Sequence, residues 1–356
     1  MERKMKILVF GAGVLGSVYA ARLAEAGEDV TILARGERLA QIEQHGIVLA
    51  RIPGNKISVT RVKTCAQLNP EDAYDLIIVL VRRNQLEEVL PHLAANQNSP
   101  HILFMTNNVS GPDVLTSSLG KERVLLGFAG AGGTRGKFIV RYRTTSSWLQ
   151  ATTIGELNGK NTLRLRTIAD MLRRAGFPVA TCSNMDAWLK ARAALVSPVA
   201  NAIYLANGST LRLSRTRDGL VLLIRAVKEG FRVLRRLGYP LMPLRLWLLA
   251  LLPEPLLVFL LKYGLTIHKA ELLLAGHANA ARDEMGLLAE EFHQLCLTAA
   301  IPTPAIDELR TYIDPASPVV TDRSATIPLR WRGAIILGLT TLSGIAGLVL
   351  LLRKKR

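Results

Sequence analysis

The first 140 residues alternate short apolar runs with longer amphipathic stretches. Lys6–Phe10 is apolar and reads as a buried strand. A glycine-rich turn follows, then an alanine-rich stretch at 17–26 that predicts a helix, then a second apolar run at 28–34. Strand, turn, helix, strand is a βαβ unit. Further apolar runs at 75–81, 101–105 and 124–128 predict more buried strands. This alternation predicts an α/β fold with an N-terminal doubly wound parallel sheet.

The pattern changes beyond residue 140. Residues 144–156 read as irregular strand and loop. Residues 162–175, 187–206, 220–237 and 283–299 carry helical apolar spacing, so the second domain is expected to be mainly α-helical. The expected division is 1–165 for a dinucleotide-binding domain, 166–320 for a helical substrate domain and 333–352 for a transmembrane anchor.

Two segments depart from a soluble pattern. Residues 241–265 read LMPLRLWLLALLPEPLLVFLLKYGL, and Pro253 and Pro255 split them into halves too short to span a bilayer. Two readings stay open: a pair of buried helices joined by a turn, or an apolar surface lying in a membrane interface. Residues 333–352 are 20 residues without a charge, a proline or an amide side chain, about what a helix needs to cross the hydrocarbon core. Arg330, Trp331 and Arg332 precede them and RKKR follows, as at the ends of a membrane anchor. The expectation is a C-terminal transmembrane helix, with the protein on the membrane as a single-pass species and its catalytic domains cytoplasmic. A single span in that orientation carries RKKR to the far side, against the positive-inside tendency, and Arg323, Arg330 and Arg332 oppose that bias.

Net charge is +17, from 45 basic and 28 acidic residues. An anionic membrane face and nucleic acid are the two partners such a charge suits. No zinc-ligand spacing or nucleic-acid motif accompanies it, so the membrane reading is preferred and neither nucleic acid nor a metal is expected. Cys65, Cys182 and Cys296 lie far apart with no CxxC, which suits a reducing compartment and three unreactive thiols. No secretory signal is expected at the N-terminus.

Candidate chemistry begins at Gly11-Ala-Gly13-Val-Leu-Gly16, a G-x-G-x-x-G between a predicted strand and helix. Gly11 allows the tight turn, Gly13 leaves room for a pyrophosphate, and Gly16 lets helix and strand pack closely. The backbone N–H groups of the helix start, at Val14 and Leu15, then face the phosphates. A purely structural glycine turn is the alternative. After the second strand stand Arg35 and Arg38 rather than a lone acid, which favours a 2′-phosphate and therefore NADP; Glu37 between them could instead accept a ribose hydroxyl.

These residues, together with ILARGERLAQIEQHGIVL, DLIIVLVRRNQ, MTNNVSGPD, Trp188-Leu-Lys190, Asn207-Gly208, Arg282-Asp-Glu-Met285 and Ile301-Pro-Thr-Pro304, resemble the ketopantoate reductase (2-dehydropantoate 2-reductase) family over most of residues 5–310. The resemblance implies a Rossmann domain and a helical domain, and NADPH-dependent reduction of a 2-oxo acid, as in the ketopantoate step of pantothenate biosynthesis. It implies that Lys190 donates a proton to the developing alkoxide, that Glu284 binds the substrate hydroxyl, and that Asn107 lies near the nicotinamide. Arg82 stands where the family has a cofactor-touching lysine. Read by themselves, Lys190 is a charge in an alanine-rich helix, either solvated or functional, and Glu284 is an acid in a first helical turn, common for dipole reasons.

Departures beyond Arg82 weigh most on the substrate half. Asn107-Asn108 replaces Asn-Gly; Ala194 and Pro198 stand where asparagines are usual, and Leu272 where a serine is usual. A different, less polar substrate is therefore expected, with loss of catalysis as the alternative. The competing function is a non-catalytic, membrane-tethered NADP(H)-binding sensor or scaffold. The expected partners are a small-molecule carbonyl substrate and the membrane, with a homodimer left open.

Overall fold

The computed structural model describes residues 4–54, 56–267 and 271–331. By contacts the chain divides into two units, Met1–Lys190 and Ala191–Arg356. The boundary lies later than the 165 expected from sequence. The helix Leu163–Arg174 and the strand after it pack on the first unit's sheet, so they cannot be assigned to a second domain.

The strands of the first unit are β1 (Lys6–Phe10), β2 (Asp29–Leu33), β3 (Ile47–Arg51), β4 (Lys56–Thr60), β5 (Lys63–Cys65), β6 (Leu76–Val79), β7 (Ile102–Phe104), β8 (Val124–Phe128), β9 (Ala131–Arg135), β10 (Ile139–Thr144), β11 (Thr152–Glu156) and β12 (Val179–Thr181). Eight form one sheet in the order β12-β11-β8-β7-β6-β1-β2-β5. Its pairs are parallel except β11 with β8. Ile7, Leu8 and Val9 are wholly buried, as expected of a central parallel strand covered on both faces.

The chain leaves β1 first toward β2 and β5, then returns to fill β6, β7 and β8 on the other side. β1 and β6 are therefore the topological switch point, and the crevice outside their carboxyl ends is the ligand position of a doubly wound sheet. This is the expected Rossmann-like arrangement.

A second sheet, β4-β3-β10-β9, was not legible in the sequence. The helix Val14–Glu25 packs on β2 and also on β9 and β10. Its Tyr19 is fully buried, stacks on Phe177 at 4.1 Å, and shares a 2.6 Å hydrogen bond with the Thr152 hydroxyl.

The described part of the second unit is helical, as expected. Its central helix is Arg217–Arg236, against which Glu254–Gly264, Arg282–Ala299 and Pro304–Thr311 pack. Buried Glu229 accepts the backbone N–H groups of Ala305 and Ile306 at 2.9 and 3.0 Å and so caps the last of these helices. Residues 241–265 form two helices, Leu244–Leu251 and Glu254–Gly264, bent by 119° at the prolines. Leu257 and Val258 are buried, whereas Leu256, Phe259 and Leu260 are exposed, so the pair is half covered. Among the described residues no single helix is long and apolar enough to cross a membrane. The anchor expected at 333–352 lies outside the described residues.

Candidate active site

The glycine-rich turn sits at the switch point. Gly11 follows β1 at φ +110°, and a Cβ there would lie 2.8 Å from the Leu80 carbonyl oxygen, just past β6. Only glycine allows both that backbone and that approach. At Gly16 a Cβ would lie 1.8 Å from the Gly11 carbonyl oxygen, and Val9 Cγ1 is farther, at 3.6 Å. Gly16 therefore closes the turn on itself before it serves helix–strand packing. Around a Cβ at Gly13 nothing lies within 4 Å, so that glycine keeps open space rather than relieving a contact.

Gly13 caps the helix that starts at Val14, with its carbonyl accepting Ser17 N–H at 3.0 Å. The N–H groups of Val14, Leu15 and Gly16 have no acceptor within such a helix and carry its positive dipole end. An anion over Gly13 meets them directly.

Two arginines were expected to distinguish the cofactor. Arg35 is exposed and pairs with Glu88 at 2.9 Å. Arg38 is half-buried and folded onto the turn: its Nη2 donates to Ser17 Oγ at 2.8 Å and its Nε to the Ala12 carbonyl at 3.3 Å. Burial, and then the charge of Arg135, lower the Arg38 pKa from its ordinary value. Arg38, singled out in the sequence only beside Arg35, is thus the arginine tied to the glycine turn. Glu37 is engaged by Gln41 Nε2 at 2.9 Å. Arg82, after β6, is exposed, and its backbone N–H donates to Gln85 Oε1 at 3.2 Å.

β7 lies two strands from β1, about 10 Å at ordinary strand spacing. Its carboxyl end leads to Asn107, which is half-buried, and Asn108, which is buried and donates through Nδ2 to the Gly111 carbonyl at 2.8 Å. Gly111, at φ +90°, leaves a space in which a Cβ would lie 3.5 Å from both Lys190 Nζ and Asp186 Oδ1. The expected lysine is therefore packed against the expected asparagine turn.

Local sequence explains how Lys190 is held. Asn184 Oδ1 accepts Ala187 N–H at 2.9 Å and starts the helix Met185–Leu205. Asp186 stands in the first turn and Lys190 one turn on, close enough for the ammonium to donate to Asp186 Oδ1. The lysine side chain is 4% exposed and that of Asp186 27%, so the pair opens to water on the carboxylate side. Trp188 is buried with its ring 5.6 Å from Phe128. Asp186 was missed in the sequence, although its spacing from Lys190 was visible.

Within the second unit, Glu284 is buried in the first turn of Arg282–Ala299. The motif residues Asn207, Gly208 and Arg282 line one polar hollow of about 240 Å³ with Tyr204. Arg282 lies 4.2 Å over the Tyr204 ring and donates to the carbonyls of Tyr312 and Ile313 at 2.9 Å each. Ala194 is wholly buried, and a Cβ on Gly230 of the central helix would come within 3.0 Å of its own. Its small size serves a helix crossing. The side chain of Leu272 lies outside the described residues. Among the described residues no group of three or more His, Cys, Asp or Glu is placed to hold a metal.

Comparison with known proteins is consistent with this geometry. The family model described as "Ketopantoate reductase PanE/ApbA" matches residues 7–159. The 2-dehydropantoate 2-reductase of Archaeoglobus fulgidus is 28% identical over 242 residues, 67% of this chain and 76% of that protein. That of Pyrococcus abyssi is 26% identical over 235 residues, 64% and 73% of the two chains. Among solved structures, 2-dehydropantoate 2-reductase from Geobacter metallireducens superposes with a TM-score of 0.72 at 19% identity, covering 87% of this chain and 99% of that one. D-mandelate dehydrogenase with NADH and anilino(oxo)acetate superposes with a TM-score of 0.71 at 18% identity, covering 87% and 97%. At these identities the structural likenesses speak to the fold.

Proposed function

We propose that this chain is a member of the ketopantoate reductase PanE/ApbA family and that it reduces a 2-oxo acid to the 2-hydroxy acid with NADPH. When bound, the cofactor supplies hydride to the carbonyl carbon. The chain's own residues do the rest. Gly13 with the N–H groups of Val14, Leu15 and Gly16 receives the pyrophosphate. Arg38, with Arg35 beside it, holds the 2′-phosphate, and Arg82 adds positive charge after β6. The turn at Asn107 flanks the nicotinamide. Lys190 Nζ gives a proton to the carbonyl oxygen as negative charge develops there. Asp186 orients that ammonium, and its exposed side returns the proton from water. Glu284 keeps the substrate-hydroxyl role that the resemblance assigns to it.

The observation that carries this reading is the buried Lys190 ammonium, held by Asp186 against the Asn107–Gly111 turn. A cofactor-binding module without hydride transfer has no use for an ammonium so placed. Pro198 offers no hydrogen-bonding side chain where the resemblance has an asparagine, which supports a 2-oxo acid less polar than ketopantoate, whereas Ala194 is taken up by the helix crossing. The run 333–352 is proposed to anchor the reductase to a bilayer, with the two described units on its cytoplasmic side.

The test is NADPH oxidation by the full chain in mild detergent, with ketopantoate and a series of 2-oxo acids of increasing apolar size. Turnover rising with apolar size supports the proposal. Absence of turnover across the series, with NADPH bound, refutes it.

A further inference from the structure

We infer that the exposed apolar face of the helices Leu244–Leu251 and Glu254–Gly264 rests in the interfacial layer of a lipid bilayer, as a second membrane contact beside the anchor. The inference depends on the anchor reading of 333–352 and adds to it a described surface.

Exposure on this pair is concentrated. Of the nineteen large hydrophobic side chains exposed among the described residues, eight fall between 247 and 267. In the second helix they recur at 256, 259, 260 and 263, one helical face, while Leu257 and Val258 opposite are buried. A surface helix of a soluble protein carries polar residues on the outer face; this one is apolar on both. Exposed apolar side chains concentrated in this way mark a binding surface.

Its composition points to lipid. Trp247, Phe259 and Tyr263 supply the aromatic groups favoured at headgroup level. Arg245 and Lys262 are exposed within it, with the Lys262 ammonium 6.0 Å from the Tyr263 ring. The single acid between 244 and 267, Glu254, is buried. The outer face thus presents apolar, aromatic and basic groups together, which suits anionic lipid.

Its position agrees. Buried Glu254, at the start of the second helix, accepts from Arg225 Nε and Nη2 at 3.0 Å each and from the Arg330 backbone N–H at 3.0 Å. Arg225 also donates to the Pro328 carbonyl at 2.7 Å. Upstream, Asp218 accepts the N–H groups of Thr326 and Ile327 at 2.9 Å each. Residues 326–330 are thereby laid along the central helix and delivered to the start of the exposed one. The apolar run begins three residues past Arg330. Chain bound for the membrane therefore departs from the root of the apolar face.

Two other occupants fit less well. A second copy docked face to face would bury Arg245 and Lys262 against a face whose one acid, Glu254, is already buried. The 333–352 run folded back on the helices would still expose its own remaining apolar sides, since it has no polar face.

The test uses the full chain reconstituted in vesicles of phosphatidylcholine and phosphatidylglycerol. Phe259→Cys and, independently, Leu248→Cys are labelled with an environment-sensitive fluorophore. Val59→Cys on exposed β4 is the control, and the unsubstituted chain gives the background from its own cysteines. Brominated acyl chains should quench the 259 and 248 labels, with blue-shifted emission, and leave the 59 label unchanged. Blue-shifted but unquenched emission means that protein covers the face, whether the chain's own tail or a second copy, and overturns the inference. Unshifted, unquenched emission from vesicle-bound protein overturns it while leaving the anchor standing. Failure to associate with vesicles at all overturns both.

Discussion

Gly13→Ala separates cofactor binding from folding, and the structure sets the expected size of each effect. Gly13 has φ −69° and ψ −165°, a conformation open to alanine, and a Cβ there meets no atom within 4 Å. Alanine is a poorer helix cap than glycine, while the loss of unfolded-state freedom works the other way, by about 0.4–1 kcal/mol. The net change in stability is expected within about 1 kcal/mol, a Tm shift of no more than about 2–4 °C for a unit of this size. NADPH affinity behaves differently, because the new methyl occupies the space through which the pyrophosphate approaches. Losing that approach is expected to weaken binding by about tenfold or more, about 1.4 kcal/mol. Gly16→Ala is the converse. Its Cβ would stand 1.8 Å from the Gly11 carbonyl, so the turn must open, at about 1–3 kcal/mol for overpacking. The assay is NADPH titration by protein fluorescence alongside thermal unfolding without cofactor. A Gly13→Ala chain that keeps its Tm and binds NADPH as tightly as the parent refutes the placement of the pyrophosphate over this turn.

Three further outcomes are expected. Lys190→Ala should lower kcat by about 10²–10⁴-fold, the range for a general acid, with NADPH affinity unchanged in the same titration. Arg38→Ala should reduce the preference for NADPH over NADH by more than Arg35→Ala, measured as the ratio of the two cofactors' kcat/KM, because Arg38 is fixed on the turn and Arg35 is exposed beside Glu88. Burial of Glu156 would raise its pKa, but hydrogen bonds from Arg164 and Thr162 and the Arg164 charge outweigh it and leave the pKa below its ordinary value of 4.5. A depressed carboxylate pKa stabilises the fold above the unfolded value and loses that contribution as pH falls through the folded one. Glu156→Gln should therefore lower Tm at pH 7 and have progressively less effect below about pH 4, by thermal melts across that range.

Parts of this molecule were legible because one local signal decided them. The strands beside the switch point are unbroken apolar runs, and the glycine turn couples spacing to backbone geometry, so both could be placed from residues 6–34 and 75–81. The second sheet was not legible. β4, Lys-Ile-Ser-Val-Thr, is largely exposed and β9, Ala-Gly-Gly-Thr-Arg, lacks apolar alternation; each is the weaker arm of a hairpin, with β3 and with β10, and only the long-range parallel pairing of β3 with β10 joins the two hairpins into a sheet. The boundary was set too early because the helix Leu163–Arg174 has the same amphipathic pattern whichever unit it covers. In the candidate site, Lys190 and Asn107 were named through a family resemblance, and the fold brings them to one turn. Asp186 escaped notice because an acid in a first helical turn is ordinary; burial of its partner distinguishes it. The apolar pair at 241–265 could be read as core or surface, since composition alone does not say which face the central helix covers.

The most direct test of the account follows the hydride itself. The full chain would be incubated with NADPH carrying deuterium at both positions on C4 of the nicotinamide and with the 2-oxo acid it turns over fastest, and the product examined by mass spectrometry and NMR. The account predicts a 2-hydroxy acid with one deuterium at C2, formed one for one with NADPH oxidised, and its formation lost in Lys190→Ala. Product without deuterium at C2, or undiminished formation by Lys190→Ala, would contradict it.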